Sequence, residues 1–279
     1  MLRCAAPNGA CSSRVLSVLT VLVLSNACTK FASENDTPGD TSSQLLVEGA
    51  PGTDWSCVTD APAPPVTVDD TRSLTYGLSV VNFIGDMPLP GVQVRACYRA
   101  DVACASPAVG PLLSDENGSV SISLFEGFNG YLELTSERFL PTLVFFPDAW
   151  SLELLGQLEQ VPIALLAPEA LVAFGASARV PLDVTAGIVT MNTFDCGGPF
   201  APGVRLELDS EGIAYAFVDD LPVPNQNVTS AQGNAGFVNV PPGIVVVTAL
   251  AGDEQVGLES MFVRSGWVSS GTIIPSFAR

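Results

Sequence analysis

The chain has 279 residues, of which 47% are hydrophobic and only 14% charged, ample material for a buried core in one large or two small domains. A net charge of −18, from 11 basic against 29 acidic residues, repels phosphate backbones and sets nucleic acid aside as a partner. Histidine is absent, which removes Ser-His and Cys-His nucleophiles and every His-liganded metal site. In chain order, Arg3 and Arg14 come first and precede the apolar run Val15 to Leu24. Ten residues fall well short of the roughly 20 that span a bilayer, and match the apolar region of a signal peptide. Small residues follow at Ser25 and Ala27, and then comes Cys28.

This ending resembles that of bacterial lipoprotein precursors, whose signal closes on leucine, small residues and cysteine. The resemblance implies cleavage before Cys28, lipid on its sulfur and new amino group, and membrane attachment through that lipid. Ser25 and Ala27 also suit an ordinary signal peptidase cutting the same bond, so the alternatives are a lipid-anchored and a secreted chain. Residues 1–27 are read as the signal peptide. Residues 28–56, rich in Ser, Thr, Asp, Gly and Pro, are read as anchor and tether, with a random-coil reach of roughly 28 Å. The expected location is the bacterial cell envelope, at the outer membrane or cell surface.

The body carries an internal repeat. Pro90-Gly91-Val92 recurs as Pro202-Gly203-Val204, and the Asn117-Gly118 turn recurs as Gln232-Gly233. The offsets are 203 − 91 = 112 and 233 − 118 = 115, nearly constant, as two related units require. Each copy alternates short half-buried strands with glycine turns; Val120, Ile122 and Leu124 share one face. The fold class is therefore mostly β: two antiparallel Greek-key β-sandwich domains joined by a short helix. Between the copies, Val161 to Leu166 reads as a strand. Pro168-Glu169-Ala170 then opens a helix to about Ala178, with proline in its first turn and an acid near its positive end. Leu171 and Phe174 face one side of it, and it is expected to pack between the sandwiches.

The turns Pro90-Gly91-Val92, Asp115-x-x-Gly118 and Pro241-Pro242-Gly243 resemble those of the carboxypeptidase regulatory-like family, a transthyretin-like sandwich. Ser230 stands where the family usually has Asp. The resemblance implies regulatory-like sandwiches at 57–150 and 187–279, with a connecting strand and helix over 151–186.

Seven cysteines are present, and cleavage removes Cys4 and Cys11. Lipid on Cys28 leaves four, an even number that allows three pairings. Cys97 and Cys104 flank a short loop after a strand, within disulfide reach, and are expected to pair; Cys57 is then left with Cys196. Cys-x6-Cys without histidine is unsuited to metal, and no metal or cofactor is expected. Asp69-Asp70, Asp115-Glu116 and Asp219-Asp220 offer oxygens that leave calcium open as a minor structural option; none has EF-hand spacing, and the alternative is solubilising charge. Ser177 lies in Gly175–Arg179, which lacks the second glycine and the base of a nucleophile elbow. No catalytic residue is expected. The function indicated is a non-enzymatic envelope lipoprotein serving as a structural, adhesive or interaction module toward an unknown protein or glycan. The alternative is a carbohydrate-binding module, for which Trp150 and Trp267, at element edges, are the candidate platforms.

Overall fold

A computed structural model describes residues 53–58, 69–146, 162–198, 200–218 and 221–275. The signal peptide, Cys28, most of the tether and Trp150 lie outside the described residues.

Strands β1 (Asp69–Asn82) to β6 (Phe139–Phe145) build the first half, with β2 Gln93–Tyr98, β3 Val109–Leu113, β4 Ser119–Glu126 and β5 Gly130–Ser136 between them. The short β7 (Ile163–Leu165) and helix α1 (Pro168–Ala178) follow. The second half runs through β8 (Gly187–Thr193), β9 (Arg205–Leu208), β10 (Ile213–Val218), β11 (Leu221–Pro224), β12 (Asn234–Val240), β13 (Gly243–Ala251), β14 (Glu254–Val263) and β15 (Val268–Ile273).

The halves repeat one topology. In the first, β1 pairs antiparallel with β4 and parallel with β7, while β2 pairs with β5 and β5 with β6. In the second, β8 pairs antiparallel with β12 and parallel with β15, while β13 pairs with both β9 and β14. The turns match bond for bond. Leu89 N–H donates to Val80 O and Val80 N–H to Gly118 O; Ala201 N–H donates to Thr193 O and Thr193 N–H to Gly233 O. The Ser114 hydroxyl accepts from Val92 N–H and donates to Leu89 O, and Thr229 does the same with Val204 and Ala201. These pairs keep the offsets of 112 and 115 read from the sequence, except Val80 and Thr193, where 193 − 80 = 113. At the turn where the copies differ, Asp115 accepts the N–H groups of Asn117 and Ser119, and Ser230 substitutes with a hydroxyl that accepts from Gln232 N–H and donates to the Asn234 side chain.

Gly118 shows why this turn needs glycine. Its φ is +72°, and a Cβ there would sit 2.4 Å from Val80 O. Gly91 has φ +75° but open space around the Cβ position. Gly91→Ala is therefore expected to cost about 1 kcal/mol from backbone conformation alone, and Gly118→Ala about 3 kcal/mol once the clash is added. Urea titration of the two variants separates the effects; equal losses would contradict the contact.

The two halves do not stand apart as separate sandwiches. Parallel pairing of β15 with β6 merges one sheet of each half into a nine-stranded sheet, in the order β11-β10-β12-β8-β15-β6-β5-β2-β3. The three-stranded sheets β4-β1-β7 and β14-β13-β9 complete the sandwiches. Ladders are antiparallel except at β1–β7, β15–β8 and β15–β6. Alternation along the shared strands feeds separate cores. Val94, Leu132 and Val144 join Leu74, Tyr76 and Leu78 in the first core. Tyr131, Leu143 and Phe145, from the opposite face, join Phe262 and Val245 in the second. Leu171 and Phe174 of α1 pack on a third group, Ile188, Tyr215, Val238 and Val268. The helix begins at Pro168 and ends where Arg179 takes a left-handed φ of 55°, with Val180 N–H donating to Gly175 O.

Candidate functional site

Two features sit where the halves meet: a set of buried ion pairs and a cavity. The ion pairs arise because β2 and β5 carry charged residues in otherwise apolar strands. Glu133 of β5, its side chain 1% exposed, receives Arg95 from β2 and Arg264 from beyond β14, the latter at 2.7 Å. Arg264 Nη2 also donates to Val102 O at 2.6 Å and to the Tyr131 hydroxyl at 3.3 Å. Arg99 bridges in the same sense, donating to Phe146 O at 3.0 Å, to Ser260 O and to the buried Glu259 carboxylate. Both clusters thus connect the first half to the region of β14. Burial pushes the Tyr131 hydroxyl up from its ordinary pKa, with the Arg264 charge opposing. Asp101, which accepts the backbone N–H of Ser106 at 2.8 Å, is held below the usual carboxylate range chiefly by such backbone bonds. Its stabilisation of this loop is therefore present above the unfolded carboxylate pKa and lost as pH falls through the lower folded value.

The described cysteines form two disulfides. Cys97–Cys104 closes the loop after β2 with Cα atoms 5.3 Å apart, and Cys57–Cys196 joins the segment before β1 to the loop after β8 at 5.6 Å. Residues 53–56, read from sequence as the end of the tether, dock on the second half. Cys196 N–H donates to Asp54 O, Asp54 N–H to the Asp195 carboxylate, and Trp55 packs against the second core. Among the described residues, Cys97, Cys104 and Glu133 are the group close enough together to suggest a metal. Both sulfurs are bonded to each other and the carboxylate is taken by two arginines, so the group does not fit an ion.

Trp267 is half-buried, with the Arg264 guanidinium 4.4 Å from its ring centroid and contact with the second core. That ring face is already occupied.

The cavity, of about 220 Å³, lies beside α1. Its floor is the nine-stranded sheet, and its walls come from β1, β7 and α1. Floor residues follow from the strand period of two: β15 presents Val268, Ser270 and Thr272, and β8 presents Ile188, Thr190 and Asn192. Register places them in rows. Val268 lies beside Ile188, Ser270 beside Thr190, and Thr272 beside Asn192, which in turn pairs with Asn234. The floor therefore grades from apolar under the helix to hydroxyl and amide at the far end. One side of the space is aromatic, with Phe174 of α1 and Phe83 set against Tyr215 and Phe217 of β10 in the floor sheet. Phe174 meets Tyr215 edge-on at 4.9 Å, and Phe217 lies 5.6 Å from Tyr215 and 5.8 Å from Phe83. Burial pushes the Tyr215 hydroxyl far above its ordinary pKa, so it stays neutral. Among the described residues, no charged side chain lines the space. Sequence reading missed this site, because alternating Thr, Asn and Ser in β8 and β15 looks like a solvent-facing edge.

No protein-family model matches the chain, and no curated protein matches it. Among solved structures, a shaft pilin of Lactobacillus rhamnosus GG is similar at 10% identity and a TM-score of 0.23, over 73% of this chain and 98% of the pilin. A streptococcal ancillary pilin is similar at 15% identity and a TM-score of 0.23, over 78% and 68%. The major pilin subunit of Bacillus cereus is similar at 8% identity and a TM-score of 0.21, over 73% and 100%. Scores this low carry no function across.

Proposed function

We propose that this chain is a non-enzymatic lipoprotein of the bacterial cell envelope whose paired sandwiches act as a rigid structural or adhesive module. The observation that supports it best is the joint. A sheet continuous across both halves, two buried ion-pair clusters and the Cys57–Cys196 bond make the halves one body. A body that cannot flex at its middle suits holding a surface at a set distance from a membrane. The bond-for-bond turn repeat supports kinship of the two halves with each other. The two disulfides suit an exported chain. Anchoring rests on the apolar run and Cys28, with each buried methylene of an acyl chain contributing about 0.8 kcal/mol and a second chain making attachment lasting.

Flotation of membranes from cells expressing the full chain tests the anchor. The native protein is expected with the membranes, and its mature N-terminus is expected to be an acylated Cys28 by mass spectrometry. The Cys28→Ser chain is expected in the soluble fraction. A Cys28→Ser chain that still floats, or an unmodified native N-terminus, would overturn the lipoprotein reading. The carbohydrate-binding alternative gains nothing from Trp267, whose ring Arg264 covers.

A further inference from the structure

We infer that the cavity beside α1 is a binding site for a small, uncharged ring compound carrying a hydroxyl on one edge, of the phenol or aromatic-alcohol class. This goes beyond the anchoring role and does not depend on it.

Four observations converge. First, the floor polar groups lack partners: among the described residues, Thr190, Asn192, Ser270 and Thr272 make no side-chain hydrogen bond, and Thr272 is only 6% exposed. Thr190, Asn192 and Ser270 are half-buried and none of the four polar groups is sealed off, so each is open to a hydrogen bond from an occupant of the cavity. Ser114, Thr193 and Thr229, buried elsewhere in the same sandwiches, all have their hydroxyls bonded. Second, the polar groups sit along β8 and β15, and the side chains facing them from α1 and just after β1, Leu171, Phe174 and Phe83, are apolar. A monosaccharide, polar around its whole rim, would press hydroxyls against Phe83, Leu171 and Phe174 with nothing to accept them. A ring with a single polar edge matches both sides. Third, among the described residues no charged side chain lines the space, so these residues offer no counter-ion to an anion or cation entering it. Fourth, the volume lies below the roughly 300–1,000 Å³ of drug-sized sites, which limits the occupant to about one ring. Entry is at Phe83, which lines the cavity yet is 44% exposed, next to exposed Ile84 and Met87.

Ligand-observed NMR and thermal unfolding of the purified mature chain test the assignment, with p-cresol, toluene, benzoate and glucose as probes. p-Cresol is expected to bind and raise Tm, with toluene several-fold weaker and benzoate and glucose showing neither effect. The isosteric pair Ser270→Ala and Thr272→Val is expected to abolish the preference of p-cresol over toluene while leaving toluene bound. Ser270→Phe, which fills the floor, is expected to abolish both; native near-UV circular dichroism confirms that it folds. Absence of p-cresol binding would mean a water-filled cavity and overturn the proposal. So would equal binding of benzoate or glucose, or p-cresol binding that survives Ser270→Phe.

Discussion

Replacing both Cys57 and Cys196 with serine is expected to lower the unfolding free energy by up to about 5 kcal/mol, the largest loss from any pair of substitutions considered. The bond joins residues 139 apart, so it removes a great deal of freedom from the unfolded chain. The figure is an upper value because the cut bond also lets the docked segment around Asp54 and Trp55 loosen, returning some entropy to the folded state. Cys97 and Cys104, only 7 apart, close a far smaller loop, worth about 2.5 kcal/mol in the same chain-entropy model. The comparison variant there is alanine, since both sulfurs are buried and a serine hydroxyl would need a partner. Urea unfolding under non-reducing conditions, with each double variant against the native chain, is the measurement. Equal losses, or a larger loss from the short loop, would show that native packing rather than chain entropy dominates. Either result bears on the proposed role, because the long bond ties the segment before β1 directly to the second half.

Glu133→Ala is expected to cost about 3 kcal/mol, and more than Arg95→Ala or Arg264→Ala. The carboxylate is 1% exposed and faces two guanidinium groups, whose side chains are 33% and 21% exposed. Removing it leaves two cations crowded together with partial hydration. Removing one arginine leaves the carboxylate with the other. A double-mutant cycle on Glu133 and Arg264 isolates the bond that crosses between the halves, and a coupling near zero would show that the joint rests on the sheet and cores alone. Salt is a useful second axis: a pair this buried is expected to resist screening, unlike the exposed Arg72–Glu126 pair, where one side chain is 50% exposed.

Much of each half was legible because its determinants are local. Gly91, Gly118, Gly203 and Gly233 mark turns whose positive φ few other residues accept, and their spacing exposed the repeat. Pro168 announced the start of α1, and Cys97 and Cys104 are close in sequence as well as space. The Cys57–Cys196 bond followed by counting, once its competitors were assigned. The binding site was not legible. Its hydroxyls sit in β8 and β15, where alternating polar residues look the same whether they face water or a closed space. Glu133 and Arg264 likewise read as ordinary surface charges, since each lies 131 residues from the other and nothing near either names its partner.

The amino-acid sequence by itself determined that this chain is β-rich, acidic, duplicated and bridged by disulfides, because turn chemistry, strand alternation and cysteine count act over a few residues. Only the tertiary structure decided that the halves share one sheet. Strand edges carry unpaired N–H and C=O groups on every residue type alike, so no side-chain pattern records that β15 pairs with β6 as well as β8. That single pairing aligns the floor of the cavity, brings Glu133 to Arg264, and makes two sandwiches into one body.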